Sequence, residues 1–342
     1  MMEFTVQLKD ASSRVIIERK SHLHLKDYIN FNCKVMVVSD TQIPLSLKEE
    51  VMAQLENATL VEVAEGEVSK GFDTYHMLLE KLLSLHFSRK DMVLALGGGV
   101  IGDLAGFVAG TYKRGCRFVS IPTTTLSQID SSIGGKVAIN LNGIKNCVGC
   151  FYHPETVIVD VDTLKTLSKR HFYNGLVEAL KAGCIQDPVI FDLFKEHIDE
   201  IDVESPYLEE IIERSLFMKK RVVEEDEKEQ NIRKILNFGH TIGHAIESIY
   251  HLHDYYHGEC VANGMIMIEE NEQIRHDLIE ILKKMNIPFV TSLDCEECIR
   301  FIKNDKKAKG NEIDIVKVNE LGKAVIEKVK IDDLRQYIRR SL

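Results

Sequence analysis

Between Met1 and Lys20, apolar positions alternate with polar ones. Phe4, Val6 and Leu8 come first, and Val15, Ile16 and Ile17 follow the polar stretch Asp10 to Ser13, so the spacing predicts a two-stranded hairpin. The pattern then changes. Cys33 to Ser39 is apolar almost without a break and ends in Asp40-Thr41-Gln42, as expected of a parallel strand buried on both faces with a polar carboxyl end. Ligands sit at such ends in open α/β sheets. Helical spacing predicts a helix over Leu45 to Leu55, followed by a strand at Thr59 to Val63, a turn at Glu65 to Lys70 and a helix over Asp73 to Leu85. Met92 to Leu96 is the next strand, and Val100 to Gly110 reads as a helix. Phe118 to Ile121 and Val157 to Asp160 complete the sheet, with Asp130 to Lys136 read as loop.

After about Thr166 the alternation gives way to helical periods: Gly175 to Ile185, Pro188 to Ile198, Tyr207 to Glu225, Ile235 to Tyr250, Cys260 to Glu280 and Asp294 to Ile302. A final strand pair is expected at Asp314 to Val318 and Lys323 to Val329. Two domains follow, 1–166 of α/β type and 167–342 mainly helical.

Composition narrows the class. The 342 residues are 44% hydrophobic and 28% charged, and 43 Lys and Arg against 53 Asp and Glu leave a net charge of −10. That balance argues against nucleic acid as a partner, since such binding needs a surplus of cations. No apolar run nears the roughly 20 residues that span a bilayer, and Met1 to Lys20 lacks the apolar core of a secretory signal, so no membrane partner and a cytoplasmic location are expected. The two C-x-x-C pairs among the eight cysteines, Cys147-Cys150 and Cys295-Cys298, are far apart and read as reduced thiols rather than a zinc knuckle.

Three stretches carry candidate chemistry. In DMVLALGGGVIGD a strand runs into Gly97-Gly98-Gly99 at the start of a helix, where glycines let a backbone approach a pyrophosphate and free N–H groups meet it. Arg114, Arg117, Lys136 and Lys145 cluster among small polar residues, which in an acidic chain points to an anionic ligand. In NFGHTIGHAIE, His240 and His244 stand four apart on one helical face, with His257 further on in HGE, so the stretch can offer imidazoles to a metal or to proton transfer. Thr241 stands where a metalloprotease HExxH has glutamate, which disfavours peptide hydrolysis. Glu229 and Arg233, just ahead, have the spacing of a helical ion pair, while Glu224 to Glu227 read as a solvated helix end.

GGGVIGD, DSSIGGK, GLVEALKAG, NFGHTIGHAIE and HGE together resemble the 3-dehydroquinate synthase family, sugar-phosphate cyclases of the shikimate pathway, over about Asp40 to Lys307. The resemblance implies a Rossmann-like α/β N-terminal domain that binds NAD and an all-α C-terminal domain that carries a divalent metal, Zn2+ or Co2+. It implies Glu178, His240 and His257 as metal ligands, with His244 near proton transfer and Lys136, Asp130, Lys219 and Glu229 in the catalytic set. Arg114, Asn146, Arg233, Asn237, Lys306 and Lys307 would hold the substrate, an anionic sugar phosphate. NAD would be held by Asp40, Thr41 and Gln42, by Glu67, Val68, Ser69 and Lys70, by Gly98, Gly99, Val100, Ile101, Gly102 and Asp103, and by Thr123 and Thr124. Lys136, Lys145, Thr163, Leu164, Lys165, Thr166 and Asn174 complete that set, and a homodimer is implied.

The implied reaction converts a seven-carbon keto-sugar acid phosphate to 3-dehydroquinate and phosphate, with NAD regenerated in each turnover, which is lyase chemistry. Other sugar-phosphate cyclases, of the 2-epi-5-epi-valiolone or 2-deoxy-scyllo-inosose synthase type, and an iron-type polyol dehydrogenase are the rivals. Lys219, Arg233, Asn237, His244 and the Asp305-Lys306-Lys307 loop favour the carboxylate-bearing substrate. Asn231, His153 and Leu180 depart from the family pattern; Asn231 replaces a glycine and is expected to take a left-handed turn.

Overall fold

The protein, a computed structural model describing residues 1–250, 254–305 and 310–340, divides into two compact units, Met1–Leu167 and Ser168–Leu342. The first contains β1 Met2–Gln7, β2 Ser12–Ile17, β3 Val35–Asp40, α1 Leu45–Met52, β4 Ala58–Val63, α2 Phe72–Ser84, β5 Met92–Gly97, α3 Gly99–Thr111, β6 Arg117–Pro122, β7 Lys136–Leu141, β8 Ile144–Phe151 and β9 Thr156–Val159. Seven strands form one sheet in the order β1-β2-β9-β6-β5-β3-β4. Only the β1–β2 hairpin is antiparallel; the other pairings in that sheet are parallel.

The apolar runs form strands because both faces of this sheet are covered. Period-two alternation sends Met36 and Val38 with Val93 and Ala95 into a core with Leu78, Leu82, Leu104 and Phe107. Val35 and Val37 with Leu94 and Leu96 go to the opposite face, against Leu25, Leu47 and Val51. Each such side chain removed from water contributes about 1.5–3 kcal/mol. The chain leaves β3 outward to β4 and then returns to β5 on the other side of β3, so the carboxyl ends of β3 and β5 flank the point where the strand order reverses.

One part of this unit departs from the sequence expectation. The loop expected over Asp130 to Lys136 overlaps a π-helical turn at Ser127–Ser131, and the β7–β8 hairpin that follows, a two-stranded sheet of its own, was not anticipated. Its tip is Asn142-Gly143, with φ of 51° and 78°, the left-handed pair that matches strand twist in a two-residue turn.

The second unit contains α4 Lys169–Ile185, α5 Pro188–His197, α6 Pro206–Glu225, α7 His240–Ile249, α8 His257–Ile268, α9 Glu272–Lys284, α10 Cys295–Asp305, the antiparallel pair β10 Glu312–Glu320 and β11 Lys323–Lys330, and α11 Arg335–Ile338. Leu176, Leu180, Leu208, Ile211, Ile212, Leu216, Ile242, Ile246, Val261 and Leu278 are fully buried in it. Two helix expectations are corrected. The helix expected over Ile235 to Tyr250 starts only at His240, because Gly239 takes φ 77° and Ile232–Asn237 is a 3-10 turn. The helix expected over Cys260 to Glu280 is broken at Glu269 to Asn271, where the Asn271 side chain accepts from the Gln273 and Ile274 N–H groups and caps α9. Among the described residues no helix is long and apolar enough to cross a membrane.

Candidate metal centre and nucleotide cradle

Within the second unit, α4, α7 and α8 meet through glycines. A Cβ on Gly264 would stand 2.0 Å from the Gly239 carbonyl oxygen, and one on Gly258 would stand 2.0 Å from that of Asn174. Gly243 lies against the backbone of Cys260 and Val261. Only residues without a side chain permit backbones this close, and the result is that Glu178 of α4, His240 of α7 and His257 of α8 face one volume. Their ligand atoms lie within 4.8 Å of one another. Glu178 Oε1 is 3.7 Å from His240 Nε2 and 3.7 Å from His257 Nε2. Such separations are too long for hydrogen bonds. They are close to the spacing of about 3.3 Å expected of two donors on one tetrahedral ion with bonds of about 2.0–2.1 Å.

The charges fit a cation. Glu178 is buried, and neither of its oxygens has a well-formed hydrogen bond among the described residues, although the Lys181 ammonium one helical turn away contacts Oε2. Burial alone would raise the Glu178 carboxyl, but Lys181 and the two imidazoles outweigh it and hold the group well below the ordinary range, so it is ionised. Burial and the Lys181 charge push His240 well down, leaving a neutral ring. His240 Nδ1 lies 3.2 Å from the Phe238 carbonyl oxygen and donates to it when Nε2 carries the lone pair toward Glu178. Burial lowers His257, but Glu178 and Glu247 outweigh it and raise the ring to about 9. Its Nδ1 is 3.6 Å from Glu247 Oε2. The exposed His244 ring lies 5.3 Å from His240 and 5.9 Å from His257 between centroids.

The start of α8 is fixed from outside the cluster. Glu259, fully buried, accepts from the Tyr256 N–H and takes a two-pronged bond from Arg170, 2.6 Å and 2.8 Å long, while the guanidinium lies over the Tyr256 ring. Before α7, Asp226 accepts from the backbone N–H groups of Gln230, Asn231 and Arg233. This turn replaces the helical spacing expected of Glu229 and Arg233: Glu229 has φ 56° and accepts from Asn237 Nδ2 at 2.7 Å, and Arg233 donates to the Glu227 carbonyl oxygen. Asn231 is not left-handed, with φ −134°; Glu229 takes that conformation instead. Lys219 is buried on α6. Asn174 is buried on α4, its amide oxygen accepting from the Glu259 N–H. Lys306 and Lys307 lie outside the described residues.

In the first unit, Asp40 to Gln42, Glu67 to Lys70, Gly98 to Asp103, Thr123 and Thr124, all expected to hold a dinucleotide, follow the carboxyl ends of β3, β4, β5 and β6. Asp40 ends β3 and accepts from the Gln42 N–H; Thr41 and Gln42 are exposed. Gly98 and Gly99 open α3, and a Cβ there would stand 3.0 Å from Thr124 Cγ2 and 3.1 Å from Ser131 Oγ respectively, so a larger residue would close this cradle. Val100, Ile101, Gly102 and Asp103 form its first turn. Thr123 is buried with no hydrogen-bond partner for its hydroxyl among the described residues, and Thr124 bonds to Ser127. After β4, Glu67, Val68, Ser69 and Lys70 form a turn in which the Lys70 ammonium bonds Asp103 and the Asn146 side chain, and Glu67 accepts from Asn140 of β7. Thr163, Leu164, Lys165 and Thr166 lie in a 3-10 turn after β9, with Thr163 bonded to Gln128. Lys136 is exposed at the start of β7, Lys145 and Asn146 lie on β8, Asp130 is half-buried in the π-helical turn, and Arg114 is exposed with φ 67°.

Sequence reasoning missed Lys181, Glu247, Arg170 and Asp226. Lys181 and Glu247 left a signal, being one helical turn from Glu178 and from His244 on the same helices. Arg170 and Asp226 act on groups that spacing alone does not connect.

Comparison with known proteins adds the family. Residues 60–174 match the family model described as 3-dehydroquinate synthase N-terminal, and residues 175–308 match 3-dehydroquinate synthase C-terminal. A 3-dehydroquinate synthase of Clostridium beijerinckii is 36% identical, with 97% of this chain and 99% of the relative aligned. Among solved structures, a 2-deoxy-scyllo-inosose synthase complexed with carbaglucose-6-phosphate, NAD+ and Co2+ is similar with a TM-score of 0.89 and 25% identity, covering 100% of both chains. The 2-epi-5-epi-valiolone synthase of Streptomyces hygroscopicus, with NAD+ and Zn2+ bound, is similar in fold with a TM-score of 0.88 and 22% identity, covering 97% of each chain.

Proposed function

The chain belongs to the 3-dehydroquinate synthase family, and from that premise we propose that it eliminates phosphate from 3-deoxy-D-arabino-heptulosonate 7-phosphate and closes the carbocycle of 3-dehydroquinate, with NAD and Zn2+ or Co2+ as its cofactors. The observation that carries this reading is the buried Glu178 carboxylate with one oxygen 3.7 Å from each of two imidazole nitrogens. Glu178, His240 and His257 would hold the cation. The Gly98-Gly99 cradle at the start of α3 and the turn around Lys70 would hold NAD. When bound, NAD would supply reversible hydride transfer and the cation Lewis acidity toward a substrate hydroxyl.

The chain's own residues do the rest. Lys136, Lys219, Arg114 and Arg233, with Lys306 and Lys307, bind the phosphate and carboxylate and meet the negative charge that develops on substrate oxygens. Asn146 and Asn237 bind hydroxyls, Glu229 orients Asn237 through its 2.7 Å bond, and Asp130 contributes a carboxylate to the same set. His244, exposed beside two half-buried imidazoles, moves the proton released when the ring carbon is deprotonated. In this reading the working form is a homodimer in the cytoplasm.

A second reading is a related cyclase whose substrate lacks the carboxylate, favoured by the TM-score of 0.89 to the inosose synthase. One assay separates them: phosphate release from the heptulosonate phosphate and from a carboxylate-free hexose phosphate, with and without NAD and a chelator. Release from the heptulosonate alone, dependent on both cofactors and without net NADH, is expected. Turnover of the hexose phosphate favours the second reading, and steady NADH accumulation from a polyol would point to a dehydrogenase and overturn both.

A further inference from the structure

His257 faces carboxylates through both ring nitrogens. Nε2 lies 3.7 Å from Glu178, and Nδ1 lies 3.6 Å from Glu247 Oε2. One nitrogen of His244, one carboxylate oxygen of Glu247 and one nitrogen of His257 lie within 4.8 Å of one another, the same condition that Glu178, His240 and His257 meet. Helix α7 supplies two of the three, since His244 and Glu247 are three apart and share a face. The distance between Glu247 and His257 is again too long for a hydrogen bond and near the spacing of two donors on one ion. Two imidazoles and a carboxylate select a transition metal over calcium or magnesium.

Resting on the Glu178 centre as the first metal site, we propose that His244, Glu247 and His257 form a second, weaker site for a divalent transition-metal ion, joined to the first by the His257 ring. It is weaker for two reasons. His244 is exposed and must be ordered, and two cations across one imidazole repel. Binding at Nδ1 releases that nitrogen's proton to solvent and leaves a bridging imidazolate. An ion here also takes up the His244 lone pair, so excess metal inhibits by removing the proton carrier while the first site stays full.

The test titrates zinc chloride into the full-length chain stripped with chelator, following heat and bound metal, with phosphate release measured in parallel. Two binding events are expected, the second at least tenfold weaker, and phosphate release rises and then falls as zinc increases. His244→Ala and Glu247→Gln should each remove the second event and keep the first; circular dichroism identifies a variant that fails to fold, and the other then decides. A wild-type chain that takes up one zinc and is not inhibited by excess overturns the second site, and weakening of the first event by Glu247→Gln would then show that Glu247 only orients His257. Loss of the first event in Glu178→Ala reports separately on the underlying centre: a first event that survives this variant defeats that reading whatever happens at the second.

Discussion

Glu269 shows how much one buried group can matter. It lies at the carboxyl end of α8, almost without solvent access, with Oε1 accepting from the Asn271 N–H and Oε2 unpartnered among the described residues. Burial raises its carboxyl from 4.5 to about 7, although the backbone bonds oppose the shift. The folded state therefore holds a proton that the unfolded chain gives up near 4.5. Stability from this group is complete below that value and is lost as pH rises to about 7, a fall of about 3 kcal/mol. Glu269→Gln should flatten the denaturant-measured stability between pH 5 and pH 8 and be the more stable protein at the upper end; an unchanged slope would show that the carboxyl is solvated. At the proposed metal centre, His257→Ala should lose bound zinc and phosphate release together, and zinc content equal to wild type would remove His257 from the ligand set. Lys136→Ala should keep its zinc while phosphate release falls at least tenfold; a wild-type rate would make this exposed lysine incidental. Among these residues the imidazole pair His240 and His244 was legible from i,i+4 spacing alone. Glu178 was not, because no local period connects it to a helix so far along the chain, and only the family motif pointed to it.

Elements were legible where one rule governed a whole segment and illegible where a single residue interrupted it. The buried strands β3 and β5 followed from unbroken apolar runs. Helix α7 was expected to begin near Ile235 because its apolar period continues through Gly239, yet the left-handed Gly239 sets the start at His240. The β7–β8 hairpin was not anticipated although Asn142-Gly143 marks its tip, because Ile144–Phe151 carries no clean alternation of apolar and polar residues. Two glycine substitutions should act in opposite directions. Gly264→Ala places a methyl 2.0 Å from the Gly239 carbonyl oxygen, so it should cost about 3 kcal/mol or more and loosen metal binding, as read by thermal melting and zinc retention. Gly102→Ala meets nothing within 4 Å inside α3 and should stabilise the NAD-free protein by about 0.5–1 kcal/mol through helix propensity. If that open space is where NAD lies, the same variant binds NAD more weakly by calorimetry.

At the scale of the whole chain, each unit has its own core and its own proposed ligand. The two ligands should then stabilise different residues. Saturation at a thousand times the dissociation constant contributes about 4 kcal/mol to whichever unit binds. Hydrogen exchange with NAD alone should slow mainly the turns after β3, β4 and β5, whereas zinc alone should slow mainly α4, α7 and α8. Protection by zinc confined to the first unit would place the cation elsewhere. The change from mixed to helical periods after Thr166 was visible in sequence, whereas the glycine contacts that join α4, α7 and α8 needed coordinates. Glu229 carries a last consequence. Its φ of 56° is a conformation that glycine adopts freely and a side chain adopts at a cost of about 1 kcal/mol or more, and here the side chain accepts a hydrogen bond from Asn237. A directed-evolution screen for heat resistance alone should therefore favour Glu229→Gly, and the winners would be sturdier proteins that turn over more slowly.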